Sequence, residues 1–291
     1  DSATVSENIT IRDCVFQNFG IGITDNFQSD HSTLYIFGNN IIIENNVFIN
    51  PSFTFDISRG HTAIELHTGT NQQVRGNRFT QVQVPIILAA DVGDITHISI
   101  TENKAIDTAY FVSMDNSGTN QFRDILIQGN STFSSKNIFT GMIYVGLAGT
   151  TDNHSRSGIR IVQNYFANTG TTADRPCILA RTEGWQDIAI ESNEFRNFTG
   201  PAIWIEYSSL DTSGNKQIRI KNNLFESNGP TAAANQIIFD GFNTARRFQT
   251  IDITNNTFSN FDGKTYTNGH VLLSAFVGVL NFQFKDNILT T

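Results

Sequence analysis

The sequence predicts an all-β solenoid, a stack of short-stranded coils, and three observations predict it. An Ile-x-Ile pair is followed by Asn, or by Cys in the first copy, and then by Phe in NITIRDCVF, NIIIENNVF, GIRIVQNYF, DIAIESNEF, QIRIKNNLF and TIDITNNTF, with a weaker copy in NFQFKDNIL. Aligned, these copies define one column: Cys14, Asn46, Asn77, Asn103, Asn130, Asn164, Asn193, Asn223, Asn256 and Asn287, in steps of 26 to 34 residues. A period near thirty that runs from end to end means a stack of similar units. The units are short alternating runs of β-branched and aromatic residues, with no apolar run at helical spacing.

Each element follows from its residues. At ~3.3 Å per residue, thirty residues make a closed coil of about three short strands with turns, and coils stack ~4.8 Å apart. The Ile pairs, from Ile9 and Ile11 to Ile251 and Ile253, form the inward column of one strand. The Asn column closes that strand, because Asn tolerates the left-handed backbone of a tight turn and its amide bonds to the coils on either side. The next column is aromatic: Phe16, Phe48, Phe79, Phe133, Phe166, Phe195, Phe225 and Phe258, which accounts for much of the 24 Phe in 291 residues. After a variable loop comes a second apolar strand, in AIELH, IILAAD, FVSMD, MIYVG, CILAR, AIWIE, QIIFDG and VLLSA. Ile64, Val112, Ile178, Ile203 and Ile237 read as inward there. Alternation then gives two outward columns. One holds Glu65, Leu88, Ser113, Tyr144, Leu179, Trp204, Ile238 and Leu273. The other holds His67, Ala90, Asp115, Gly146, Arg181, Glu206, Asp240 and Ala275.

On these motifs the chain resembles the right-handed, single-stranded parallel β-helix of the pectin-lyase-like superfamily, most closely its phage tailspike and appendage members. The resemblance spans about ten coils with an Asn ladder. It implies that the ladder sits at the short turn between the second and third sheets, and that the second apolar strand belongs to the first sheet, which carries the substrate groove of pectin-degrading members. Lyases, hydrolases, epimerases, tailspikes and adhesins share the architecture, so the resemblance bears on fold more than on activity.

Composition sets further bounds. The chain reads as one solenoid domain, residues 1–291, without a linker, and as a segment of a longer protein. It begins its first strand near Asn8 and stops on a ladder unit, with neither end capped. A net charge of −8 with 16% charged residues argues against nucleic acid and anionic membranes as partners. No signal peptide or transmembrane stretch is legible. Cys14 takes a ladder place and Cys177 lies five coils on, roughly 24 Å away by strand spacing, so both are expected to be small buried residues and not a disulfide.

The sharpest candidate site is Arg181, Glu206 and Asp240 on three successive coils. Glu206 and Asp240 then lie ~5 Å apart at the backbone. Two carboxyls that close hold one another's protons, and their spacing suits a retaining glycosidase. Trp204 and Tyr207 flank them as surfaces for a sugar ring, and Glu183 follows in the next turn. The alternative is a surface ion pair between Arg181 and Glu206, worth about 0–1 kcal/mol. A second cluster, RGHTAIELHTGTN, brings His61, Glu65 and His67 outward, with Asp91 on the next coil. It offers acid–base groups near neutral pH, or a hydrogen-bonded anchor for the following loop. No tight metal-ligand spacing appears and no cofactor is expected. Of the polygalacturonase-type motifs, Arg219-Ile220-Lys221 matches one and Gly60-His61 part of another, but Arg219 and Lys221 precede the Asn ladder and so lie on the wrong sheet.

The reading that follows is a tailspike- or appendage-type β-helix that binds a bacterial surface or other extracellular polysaccharide and acts on it as a depolymerase. It would be a homotrimer in a virion tail or extracellular setting, with no nucleic acid and no membrane insertion. A free polysaccharide lyase or hydrolase, and a non-catalytic adhesin or fibre, stay open as alternatives.

Overall fold

The computed structural model describes residues 6–19, 32–50, 62–115, 120–134, 142–145, 156–168, 176–181, 187–198, 200–207, 217–226, 236–241, 248–259, 271–274 and 279–290. Among the described residues every regular element is a strand, and the strands pair in parallel, each with its counterparts in neighbouring coils. The protein is a parallel β-solenoid. Its coils have three faces. The first sheet contains Ser32–Asn39, Val84–Ala89, Val112–Asp115, Ile143–Val145, Ile178–Arg181, Ile203–Tyr207, Ile237–Gly241 and Val271–Ser274. The second runs from Thr10–Arg12 through Ile95–Thr101 and Asp187–Glu191 to Val279–Lys285. Strand Thr62–Arg75 passes from the first sheet into the second without a break and joins the two. The third sheet is ten-stranded, from Val15–Gln17 to Ile288–Thr290.

The Ile pairs do line the interior. Ile98, Ile125, Ile159, Ile188, Ile218 and Ile251 are register partners in turn on the second sheet, and all are buried. Gln72 interrupts the column between Ile41 and Ile98. Its amide nitrogen donates to the carbonyls of Gly38 (2.6 Å) and Thr68 (2.8 Å), which makes a polar group tolerable there.

The Asn ladder is built as expected and is fully buried through its middle. Asn164 donates its backbone N–H (2.9 Å) and its side-chain Nδ2 (3.0 Å) to Asn193 Oδ1, and Asn193 does the same to Asn223 Oδ1 at 2.8 and 3.1 Å. Each Nδ2 also donates back to a carbonyl of the preceding coil, that of Val74 for Asn103 (2.8 Å) and of an Ile elsewhere, as from Asn193 to Ile161 at 2.8 Å. The same bonds recur from Asn46 to Asn256. One assumption needs correcting: the ladder Asn does not carry the left-handed backbone. The residue before it does, at Asn45, Glu102, Gln163, Ser192, Asn222 and Asn255, with φ of 56–57°.

The aromatic column differs from expectation at one place. Phe16, Phe48 and Phe79 stack with ring centroids 4.7 and 5.1 Å apart, and Phe166, Phe195, Phe225 and Phe258 stack at 5.3, 5.0 and 4.8 Å. Between the two stacks the column holds Ala105 and Thr132, not Phe133. Phe133 lies three residues after its ladder Asn instead of two, points outward and is 42% exposed. Thr132 Oγ1 instead meets the sulfur of buried Met142 at 2.6 Å. Cys177 is buried and unpaired as expected, whereas Cys14 is exposed. Cys14 keeps the first ladder place through its N–H to Asn46 Oδ1 at 3.0 Å, but a thiol cannot donate onward as an amide does.

Candidate functional site

The outer side of the first sheet is where the sequence places its chemistry. Register pairs run Ile64–Ile86–Val112–Ile143–Ile178–Ile203–Ile237–Val271, so the inward residues are as expected. The register row one step on is Glu65, Ile87, Ser113, Tyr144, Leu179, Trp204, Ile238 and Leu272. Leu88 and Leu273 therefore leave it. Leu88 is inward and fully buried, because Val84–Ala89 is apolar throughout and its alternation is hidden. In the other column Asp115 pairs with Ala89, not Ala90, and Asp240 with Ser274, not Ala275.

Arg181, Glu206 and Asp240 are successive register partners on strands Ile178–Arg181, Ile203–Tyr207 and Ile237–Gly241. Trp204 sits two residues before Glu206, between Leu179 and Ile238. Its indole Nε1 is buried without a hydrogen-bond partner, although its ring is partly exposed. Leu179, also outward, is only 4% exposed. The side chains of Arg181, Glu206 and Tyr207, and the whole of Glu183 and His61, lie outside the described residues. Further along the same column stands Tyr144, whose ring meets Tyr110 edge-on at 6.4 Å.

The second cluster is resolved in more detail, and it is not an open acid–base site. His67 is 3% exposed. Its Nδ1 is 2.7 Å from Asp91 Oδ1 in a hydrogen bond, and its Nε2 is 2.8 Å from Glu65 Oε1, a close ionic contact out of line for a full hydrogen bond. Ser32 donates its hydroxyl to Glu65 Oε2. The imidazole lies 4.0 Å from the Tyr35 ring and 4.8 Å from the Phe37 ring, centroid to centroid. His67 takes this place because it is the extra residue of a bulge: Ile36 pairs with Leu66 and Phe37 with Thr68, so His67 has no partner on the neighbouring strand. Burial disfavours the imidazolium, but the two carboxylates outweigh it and His67 has a raised pKa. Burial likewise pushes Glu65 up, while His67 and Ser32 outweigh it and its pKa is lowered. With both ring nitrogens turned toward carboxylates, His67 presents no free nitrogen to a substrate.

Sequence reasoning missed Ser32, Tyr35 and Phe37 as members of this cluster. Their strand, STLYIFGN, carries the apolar and aromatic run LYIF one coil before the AIELH copy, a signal that was there to find. The motif Arg219-Ile220-Lys221 lies on the second sheet as expected. Arg219 faces Asp187 at 3.4 Å and Lys221 faces Asp252 at 2.5 Å, which is surface ion pairing between coils. Among the described residues no cluster of His, Cys, Asp and Glu could hold a metal, and no helix is long and apolar enough to cross a membrane.

No protein-family model, curated protein or solved structure matches the chain.

Proposed function

We propose that the chain is the glycan-binding β-helix of a tailspike- or appendage-type protein of the pectin-lyase-like group, wound right-handed in about ten coils, and that it recognises a host-surface polysaccharide. The observation that carries this reading is the register of Arg181, Glu206 and Asp240 on three adjacent strands, two residues on from Leu179, Trp204 and Ile238. Trp204 and Tyr144 stand two strands apart on their common column, ~10 Å along the axis by strand spacing. An extended polysaccharide laid along the axis would meet an aromatic face at each, and stacking needs no more than contact area. Glu206 and Asp240 would then act at the glycosidic bond, one as acid and one as nucleophile or base.

The experiment is a glycan-degradation screen with binding measured in parallel. Trp204→Ala should weaken binding by tenfold or so, as loss of ~1–1.5 kcal/mol of ring contact implies. Glu206→Gln should abolish cleavage and leave binding and melting temperature nearly unchanged, because it removes a proton-transfer group and keeps its shape. Glycan bound but never cut by the unaltered chain points to an adhesin or fibre. Cleavage at the full rate by Glu206→Gln makes the pair structural. Light scattering at micromolar concentration tests the trimer, and a lone monomer with full activity favours a free lyase or hydrolase.

A further inference from the structure

The His67 cluster takes no part in the proposed glycan site, and its geometry points to a separate role. It ties three successive coils together on the outer face of the first sheet. Tyr35, Phe37 and Ser32 come from strand Ser32–Asn39, Glu65 and His67 from Thr62–Arg75, and Asp91 from the turn after Val84–Ala89. Among the described residues, the titratable groups facing the imidazole are Glu65 on its own strand, Tyr35 from the strand on one side and Asp91 from the turn on the other. With the ring doubly protonated, the trio carries one net negative charge and each N–H faces a carboxylate, Asp91 in a hydrogen bond and Glu65 in an ionic contact out of line. A neutral ring carries only one N–H, so one nitrogen must present its lone pair to a carboxylate in a site that water barely reaches.

We infer that Glu65, His67 and Asp91 form a proton-operated latch: loss of the imidazolium proton opens the Glu65 arm and displaces the Tyr35 ring that covers it. The choice of arm follows from alignment. The Nδ1–Asp91 contact is a hydrogen bond, so the neutral ring keeps its proton on Nδ1 and turns the lone pair of Nε2 toward Glu65. Asp91 stays bonded, and Glu65 is repelled toward water. Tyr35 is the register partner of Glu65, its ring lies 4.0 Å from the imidazole, and it is 43% exposed. Burial works against the charged ring and the two carboxylates work for it with the larger effect, so opening is displaced upward in pH from the ordinary histidine value.

The test is an NMR titration of the whole chain, with ring nitrogen shifts of His67 and ring proton shifts of Tyr35 followed together. The expected result is a His67 midpoint above the usual 6.5, a neutral form protonated on Nδ1, and Tyr35 signals that move with that same midpoint. In Glu65→Gln the amide can donate to a neutral Nε2, so the midpoint should drop and the coupled movement of Tyr35 should vanish. Asp91→Asn, at the more exposed partner, should also lower the midpoint while Tyr35 still moves. Three outcomes overturn the inference: Tyr35 signals that stay fixed while His67 titrates, a neutral form protonated on Nε2, or a midpoint at or below 6.5. None of these readouts depends on a glycan being bound.

Discussion

Two columns of asparagine run along this solenoid, and they obey different rules. The buried one, Asn46 to Asn256, keeps the same residue in every coil. The second stands at the corner entering the second sheet. It starts as Asn8, Asn40 and Asn71, with Nδ2 of Asn40 and Asn71 donating to the preceding Oδ1 at 3.3 and 3.2 Å, and continues as His97, Asp124 and Gly158. All six of these have φ between 55 and 67°. At the exposed corner the side-chain bonds compete with water and the backbone conformation is the common demand, which Asn, His, Asp and Gly meet most easily. At the buried turn the left-handed position is one residue earlier and accepts even Glu102 and Gln163, whereas the ladder place accepts only a side chain with two donors and an acceptor. Hydrogen-bond burial fixes residue identity; a backbone angle fixes only a class.

The largest break in this contrast should come from Asn193→Ala. It removes two acceptor bonds made to Asn164 and strips Ile161 of its donor in a dry site, so we expect a loss of about 3 kcal/mol in urea unfolding. The next effect is set by pH. The folded pKa of Glu65 is lowered, so its contribution is present above 4.5 and lost as pH falls through the folded value. The folded pKa of His67 is raised, so its contribution is complete below 6.5 and lost as pH rises through the folded value. The latch therefore adds most to stability between pH 4.5 and 6.5, and calorimetric melting temperatures should lose this dependence in His67→Gln. Asn71→Ala, at the exposed corner, should cost about 1 kcal/mol and Asn71→Gly less, because glycine meets the left-handed φ and loses only the exposed bond to Asn40. The smallest expected effect has the opposite sign: Gln163→Gly should stabilise by about 0.5 kcal/mol by relieving a left-handed Gln. Were Asn71→Ala as costly as Asn193→Ala, the distinction between the two columns would fail.

How far the sequence could be read follows the same logic. The ladder and the Ile columns were legible because buried pairing repeats residue for residue. The stacked Phe column was legible wherever spacing from the ladder was counted, and failed at Phe133, where the nearest Phe was taken in place of the second residue, Thr132. The first sheet slipped by one residue at Val84–Ala89 and Val271–Ser274, because a run apolar on both faces carries no period from which to set register. Arg181, Glu206 and Asp240 could be brought together because their strands flank the same inward Ile, seen in Ile178, Ile203 and Ile237. The His67 latch was only half visible. Glu65 and His67 share a strand, but Ser32 is 33 residues from Glu65 and Asp91 is 24 from His67, across loops of unequal length.

The interruption of the phenylalanine stack has a consequence for cooperativity. In a solenoid each coil is coupled only to its neighbours, so the chain behaves as a line of links and parts where a link is weakest. Each stacked ring pair adds ~0.5–1.5 kcal/mol of coupling beyond buried area. Across Ala105 and Thr132 that contribution is missing, while Phe16–Phe79 and Phe166–Phe258 form continuous blocks on either side. We therefore expect two cooperative units under one unbroken amide ladder, separated by denaturant into two transitions that a Thr132→Phe link would draw together.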